Sequence, residues 1–286
     1  MKKDKTMGKL ILFATTVLCL SCESKGAEPG QPQVPAWQAP ELLASGFRFT
    51  EGPAWCEDGY LLFSDLSNNK IYKWNENDGI TTFLSPSESS NGICYDGTRF
   101  WVCRHMARDI AVLNKEGEIA SVVGSYDGLK LNSPNDIAVS KQGTVYFTDP
   151  DYGVEPADRE LDFEGLYYAV NDSDGAILAD DSLSKPNGVA LSPGHSKLYV
   201  CESSSNTIHV FDLTSEGMPA NRRALCCISG DGEVDGIACH KSGYLFIAFS
   251  AGGIVIVSPE GEQQGHIAFS AKDRIRNLCF GEDDGN

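Results

Sequence analysis

The chain has 286 residues, with 23 Lys and Arg against 40 Asp and Glu, giving a formal net charge of −17. So acidic a body argues against nucleic acid or an anionic membrane surface as a partner, and accords with cations and small neutral or polar substrates. Its 41% hydrophobic content and lack of a long apolar span are those of an ordinary globular chain, large enough for one all-β domain.

In chain order, Lys2, Lys3, Lys5 and Lys9 precede an apolar run from Leu10 to Leu20. The run is too short to cross a membrane as a helix, so residues 1–21 read as an export signal. Leu18-Cys19-Leu20-Ser21-Cys22 resembles a bacterial lipobox. That resemblance makes Cys22 the lipidated first residue of a periplasmic or cell-surface protein, whose only tie to the membrane is this anchor. Cys19 stands where Leu is usual, so cleavage without lipidation stays open. Removing residues 1–21, with four Lys and one Asp, takes the charge from −17 to −20 (−17 − 3). Residues 22–40, rich in Gly, Pro and Gln, are expected to form a flexible tether, leaving 41–286 as the folded domain.

From residue 51 onward one pattern recurs: an oxygen-bearing side chain followed by a small or apolar run. The lead residues are Glu51, Asn91, Asn135, Asn187, Asp235 and Asn277, at intervals of 40, 44, 52, 48 and 42 residues. A period of roughly 40–50 with short strands in each unit is the mark of a β-propeller. Turn residues such as Glu57-Asp58-Gly59 and Lys141-Gln142-Gly143 then lead into second strands, Leu61 to Asp65 and Val145 to Asp149 among them. Third strands follow, as in Lys70 to Trp74 and Gly253 to Val257, and fourth strands are legible at Thr81 to Leu84, Ser121 to Val123 and Gly265 to Phe269. The reading is an all-β, six-bladed β-propeller whose sixth blade is incomplete. That blade has its first strand at Arg276 to Phe280 and ends in the acidic run Gly281 to Asn286, with Glu41 to Ala44 available as its outermost strand. Two middle strands are missing from that count, and an open strand edge promotes self-association. Cys103 and Cys201 take the same place in successive blades and are expected to be buried and unpaired, as are Cys94 and Cys279 in innermost strands.

If each repeated run is an innermost strand, its lead residue points at the central channel, and the six form a ring of oxygen donors suited to a hard cation. Asn or Asp before Gly is also ordinary turn chemistry. One such pair means nothing, but three aligned pairs with Glu51 and Asn135 favour a site. Asp65 and Asp149, at matching second-strand ends, read instead as hydrogen-bond acceptors of turns or between blades.

The chain resembles the family of SMP-30 (regucalcin), gluconolactonase and related lactonases, six-bladed propellers with a metal in the channel. The resemblance rests on Glu51-Gly52-Pro53, Leu131-Asn132-Ser133-Pro134-Asn135-Asp136, Phe147-Thr148-Asp149-Pro150-Asp151-Tyr152-Gly153, Pro186-Asn187-Gly188 and Val234-Asp235-Gly236. It covers about residues 41–281 and points to the gluconolactonase-like bacterial branch. It implies that Glu51, Asn187 and Asp235 hold one divalent cation, calcium first, with magnesium, manganese and zinc as alternatives. It also implies that Asn135 approaches the metal or substrate. Such an ion polarises a lactone carbonyl and lowers the pKa of a bound water, and Asp235 beside it is placed to act as general base. His105 and Tyr152 are candidate substrate contacts. The expected function is hydrolysis of sugar lactones or related cyclic esters. The alternative is a non-catalytic propeller that binds a ligand or protein at the cell surface.

Overall fold

The structure is a computed structural model that describes residues 8–13, 16–23, 36–37, 41–170, 175–269 and 274–281, with side chains from residue 41 onward. Five four-stranded antiparallel blades follow one another along the chain. Their innermost strands are Thr50–Cys56, Ser90–Tyr95, Ile137–Val139, Pro186–Leu191 and Val234–Cys239. Each is followed by the expected second and third strands, for example Tyr60–Asp65 and Lys70–Asn75 in blade one. The outer strands of blades three and four, Ile177–Asp180 and Pro219–Cys227, escaped the sequence reading. The first is only four residues long and the second mixes Asn and Arg with Ala, Leu and Cys, so neither shows the alternation that marks a half-buried strand.

The core lies between blades. Because side chains alternate across a strand, Leu62 packs toward blade two with Phe100 and Val102, while Leu61 and Phe63 pack the other way with Phe47, Tyr72 and Cys279. The same division recurs at blade three. Phe147 and Tyr167 stack 5.5 Å apart against Trp101 of blade two, whereas Tyr146 and Leu166 face Val200 and Phe211 of blade four. Cys103 and Cys201 are fully buried between blades, Cys94 and Cys279 are only partly buried rather than buried as expected, and all eight cysteines with described side chains are unpaired.

The expectation of six blades, the last cut short after its first strand, is corrected here. The structure has five blades of the repeating make, and in the remaining sector the two ends of the chain meet in a different sheet. Asn277–Gly281 pairs antiparallel with Gly8–Phe13, which pairs with Thr16–Glu23, onto which Glu41–Ser45 and Ala36–Trp37 also dock. Glu41–Ser45 thus lies at the outer edge of that sheet, beside Ala36–Trp37. The inner edge that would have been left for self-association is taken by residues 9–13 instead. The physical reason is that an unpaired row of backbone donors and acceptors accepts any compatible strand, and the apolar run read as an export signal also satisfies strand pairing. The tether lies almost wholly outside the described residues, as does the acidic end 282–286.

Candidate functional site

Each innermost strand leaves its ladder where the channel residue sits. In blades one, four and five the register shifts between Glu51 and Ala54, between Pro186 and Val189, and between Val234 and Ile237. A bulge of this kind re-aims the side chains within it. All six lead residues are buried in one ring. Asn277 Nδ2 donates to Glu51 Oε2 at 3.1 Å, joining the last strand to the first. Asn187 hydrogen-bonds the Asp235 carboxylate and also donates through Nδ2 to Ser203 Oγ at 3.3 Å. Arg276 Nη1 lies 3.4 Å from Asp235 Oδ2. Asn135 belongs to the same ring, its carbonyl accepting from Gly92 N at 2.7 Å.

The glycine after the lead residue has a steric purpose more than a turn one. Only Gly52 has a left-handed φ, at 51°. A Cβ on Gly188 would lie 2.5 Å from Asp235 O and 2.7 Å from Ile237 N, and one on Gly92 2.7 Å from Asn135 O. The neighbouring innermost strand passes where a side chain would be. Close approach of bare backbones is what draws the donors of separate blades toward one point.

Hydroxyls lock the ring from outside. Ser64 Oγ donates to Asn91 O at 2.7 Å, Thr148 Oγ1 to Asn187 O at 2.6 Å, and Ser203 Oγ to Val234 O at 2.6 Å. Each lies near the end of a second strand and holds the next blade's first. Asp65 and Asp149 fill the acceptor role expected of them. Asp65 receives Arg48 N and Phe49 N, both at 3.1 Å, just ahead of Glu51. Asp149 receives Asn132 N at 2.7 Å, just ahead of Asn135.

The electrostatics single out the two acids of the expected ligand set. Burial, then repulsion from Asp235, raises the Glu51 carboxyl well above the ordinary range. Burial pushes Asp235 up to about 6 despite the opposing pull of Arg276 and Asn187. Asp136 is a third channel acid, pushed up to about 7 by burial, with Oδ2 accepting Val189 N at 3.0 Å. The sequence reading passed over it as the second residue of its motif. Its place one residue after Asn135, where the other blades have glycine, was the available signal. Arg276 was likewise missed.

His105 and Tyr152 divide. His105 is buried with its pKa lowered to about 4 by desolvation, and its Nε2 sits 3.1 Å from Asn91 Nδ2. It is a neutral acceptor that steadies a ring residue. Tyr152, half-exposed on the long loop of blade three, sets its hydroxyl against Ser203 and near Asp235, and burial raises its pKa. A cavity of about 590 Å³ opens along the later halves of the innermost strands, lined by Trp55, Tyr95, Leu191 and Phe280. It shares Asn277 with the ring and reaches Asp136, but is not lined by Glu51, Asn187 or Asp235.

Among the described residues there is no cluster of three or more His, Cys, Asp or Glu that could hold a metal ion, so a cation here would lean on amide oxygens as well as the two acids. Two mutually repelling buried carboxylates with amide oxygens beside them fit a hard divalent cation, which supplies the missing counter-charge. The fold and site thus define a propeller with an oxygen-donor ring in its channel. The chain belongs to the SMP-30/Gluconolactonase/LRE-like family, whose pattern matches residues 49–286. A gluconolactonase of Zymomonas mobilis is 37% identical over 273 residues, covering 85% of this chain and 76% of that protein. The solved gluconolactonase of Xanthomonas campestris superposes with a TM-score of 0.76 at 26% identity, covering 96% of this chain and 88% of that one. Regucalcin of Agrobacterium tumefaciens, at 15% identity and a TM-score of 0.67, shares the fold, over 80% of this chain and 76% of its own.

Proposed function

We propose that this chain is a divalent-metal-dependent lactonase that opens sugar lactones, or related cyclic esters, with Glu51, Asn187 and Asp235 holding the cation. The observation that carries this is the pair of buried acids, Glu51 and Asp235, each held above its ordinary range in a ring otherwise made of amides. The relatives named above support the substrate class. A bound cation would polarise the lactone carbonyl and acidify an attacking water.

The chain's own residues do the rest. Asp235, with a carboxyl near 6, is ionised at neutral pH and takes the proton of the attacking water. Asn187 orients that carboxylate, which Arg276 neighbours. Water adds to the carbonyl carbon, the ring C–O bond breaks, and the proton passes to the departing ring oxygen, leaving a hydroxy acid. Asn135, His105 and Tyr152 are the proposed contacts to the sugar, with His105 also steadying Asn91.

The test is metal content of the purified protein, followed by a lactone panel before and after chelation. Activity restored by calcium, magnesium, manganese or zinc identifies the ion. Undiminished hydrolysis after exhaustive chelation refutes the metal role, and metal binding without turnover of any lactone or ester indicates a binding module. We propose further that the chain is exported and anchored through Cys22.

A further inference from the structure

Arg276 is a basic side chain placed against the ring itself. It stands between Ile275, which is fully buried, and Asn277, the ring residue of the last strand. Its backbone carbonyl accepts Gly236 N at 2.8 Å, so its position is fixed across the seam to blade five. The guanidinium carbon sits 5.0 Å above the Phe49 ring, and Phe49 is held in turn by Asp65. Among the described residues its one side-chain hydrogen bond is the 3.4 Å contact from Nη1 to Asp235, and about a quarter of the side chain is exposed. A guanidinium carries five N–H donors in a rigid fork, so this one has donors to spare.

The other cations near the channel mouth are already committed. Arg104 makes a two-bond fork to Asp109, at 2.7 Å each. Lys185 pairs with Asp151 and with Glu164, and Arg159 with Asp151. Arg276 differs because its only carboxylate partner among the described residues is an expected ligand of the cation. Counting Glu51, Asp235, Arg276 and a divalent ion, the charges sum to +1 (−1 − 1 + 1 + 2). Asp136 beneath the ring brings the sum to zero when ionised, and Glu233, which faces Asp235 from the exposed side, is screened by water. Once the cation takes Asp235, the forked donor is left facing the channel without an anion of its own.

Building on the lactonase reading, we propose that Arg276 is a specificity residue that binds a carboxylate on the substrate, so that the preferred substrates are lactones carrying a second, free acid group. A charge-assisted fork of this kind discriminates by about 10- to 100-fold. In a protein of net charge −17, which repels acids at long range, a local forked cation is what such a substrate requires.

The experiment compares D-glucaro-lactone, which bears a free carboxylate, with neutral D-glucono-lactone, using wild type, Arg276→Gln and Arg276→Lys. The readout is the ratio of kcat/KM for the acidic over the neutral lactone. The wild type is expected to favour the acidic lactone by about 10- to 100-fold, Arg276→Gln to bring the ratio near one, and Arg276→Lys to keep an intermediate ratio. Any loss from a looser Asp235 affects both substrates and cancels in the ratio. A ratio unchanged by Arg276→Gln, or a wild type that favours the neutral lactone, overturns the proposal while leaving the lactonase reading intact. Calorimetric binding of glucarate against gluconate in excess calcium tests Arg276 without turnover. Tighter glucarate binding that Arg276→Gln abolishes supports the assignment even if no lactone is hydrolysed, an outcome that refutes only the parent reading. Equal binding of the two by wild type and variant rejects it.

Discussion

Replacing Gly188 by Ala tests the claim that bare backbone contact gathers the site. The added Cβ would lie 2.5 Å from Asp235 O and 2.7 Å from Ile237 N. An ordinary contact begins near 3.4 Å, so one strand has to retreat by about 1 Å, and no flexible side chain is there to give way. Overpacking of this kind costs about 1–3 kcal/mol, and each kcal/mol lowers the Tm of a domain this size by about 2–4 °C. The strand that retreats carries Asp235, so the donors of blades four and five separate, and a displacement of about 1 Å at a reacting centre costs on the order of 100-fold in rate. We expect Gly188→Ala to melt several degrees lower, to bind calcium at least about tenfold more weakly and to lose most lactone hydrolysis. Gly194→Ala is the control, because no atom lies within 4 Å of its added Cβ and its φ is not left-handed. Thermal melts with calorimetric cation titration measure both effects. Wild-type melting and cation affinity in Gly188→Ala would refute the steric reasoning.

Asp235→Asn is expected to keep part of the cation binding while losing most of the rate, since an amide still offers an oxygen but takes no proton, and Asp235→Ala to lose both; matched calorimetry and kinetics separate the two roles. Asp149 is buried and pushed up to about 7, against about 3.9 unfolded, so the native state holds a proton that the unfolded state releases across that window. Stability from this group therefore falls as pH rises from about 4 to about 7, by up to about 4 kcal/mol, and Asp149→Asn should flatten that slope in urea unfolding. An Asn variant with the wild-type slope would remove Asp149 as the cause. Export and closure of the last sheet make opposite demands on residues 8–21, so intact mass of protein from the membrane fraction is decisive. A chain that begins at a lipidated Cys22, and is released by Cys22→Ala, has lost the strand that covers Asn277–Gly281 and should self-associate in light scattering, whereas a full-length chain should stay monomeric.

Much of this molecule was legible before its structure. Spacing alone placed Glu51, Asn91, Asn135, Asn187, Asp235 and Asn277 at equivalent points of successive units, because a propeller repeats one local hairpin chemistry and each repeat writes it again. The apolar and aromatic runs at Leu61 to Asp65 and Val145 to Asp149, each set off by turn residues, likewise announced strands, which the structure buries on both faces. What sequence could not decide were relations across the ring. That glycines 92 and 188 make room for a neighbour's backbone, and that Ser64, Thr148 and Ser203 fasten one blade to the next, depend on partners tens of residues away. That His105 Nε2 meets Asn91, and that the seam sets Arg276 beside Asp235, are likewise relations the linear order does not carry. The closing of the circle was the least legible part. An apolar run after four lysines has the same local pattern whether it is an export signal or a strand, and only the free edge of Asn277–Gly281 selects pairing in the folded chain. Local pattern determines which strands form, whereas edges, seams and the charge balance of the channel are settled only when distant segments share one space.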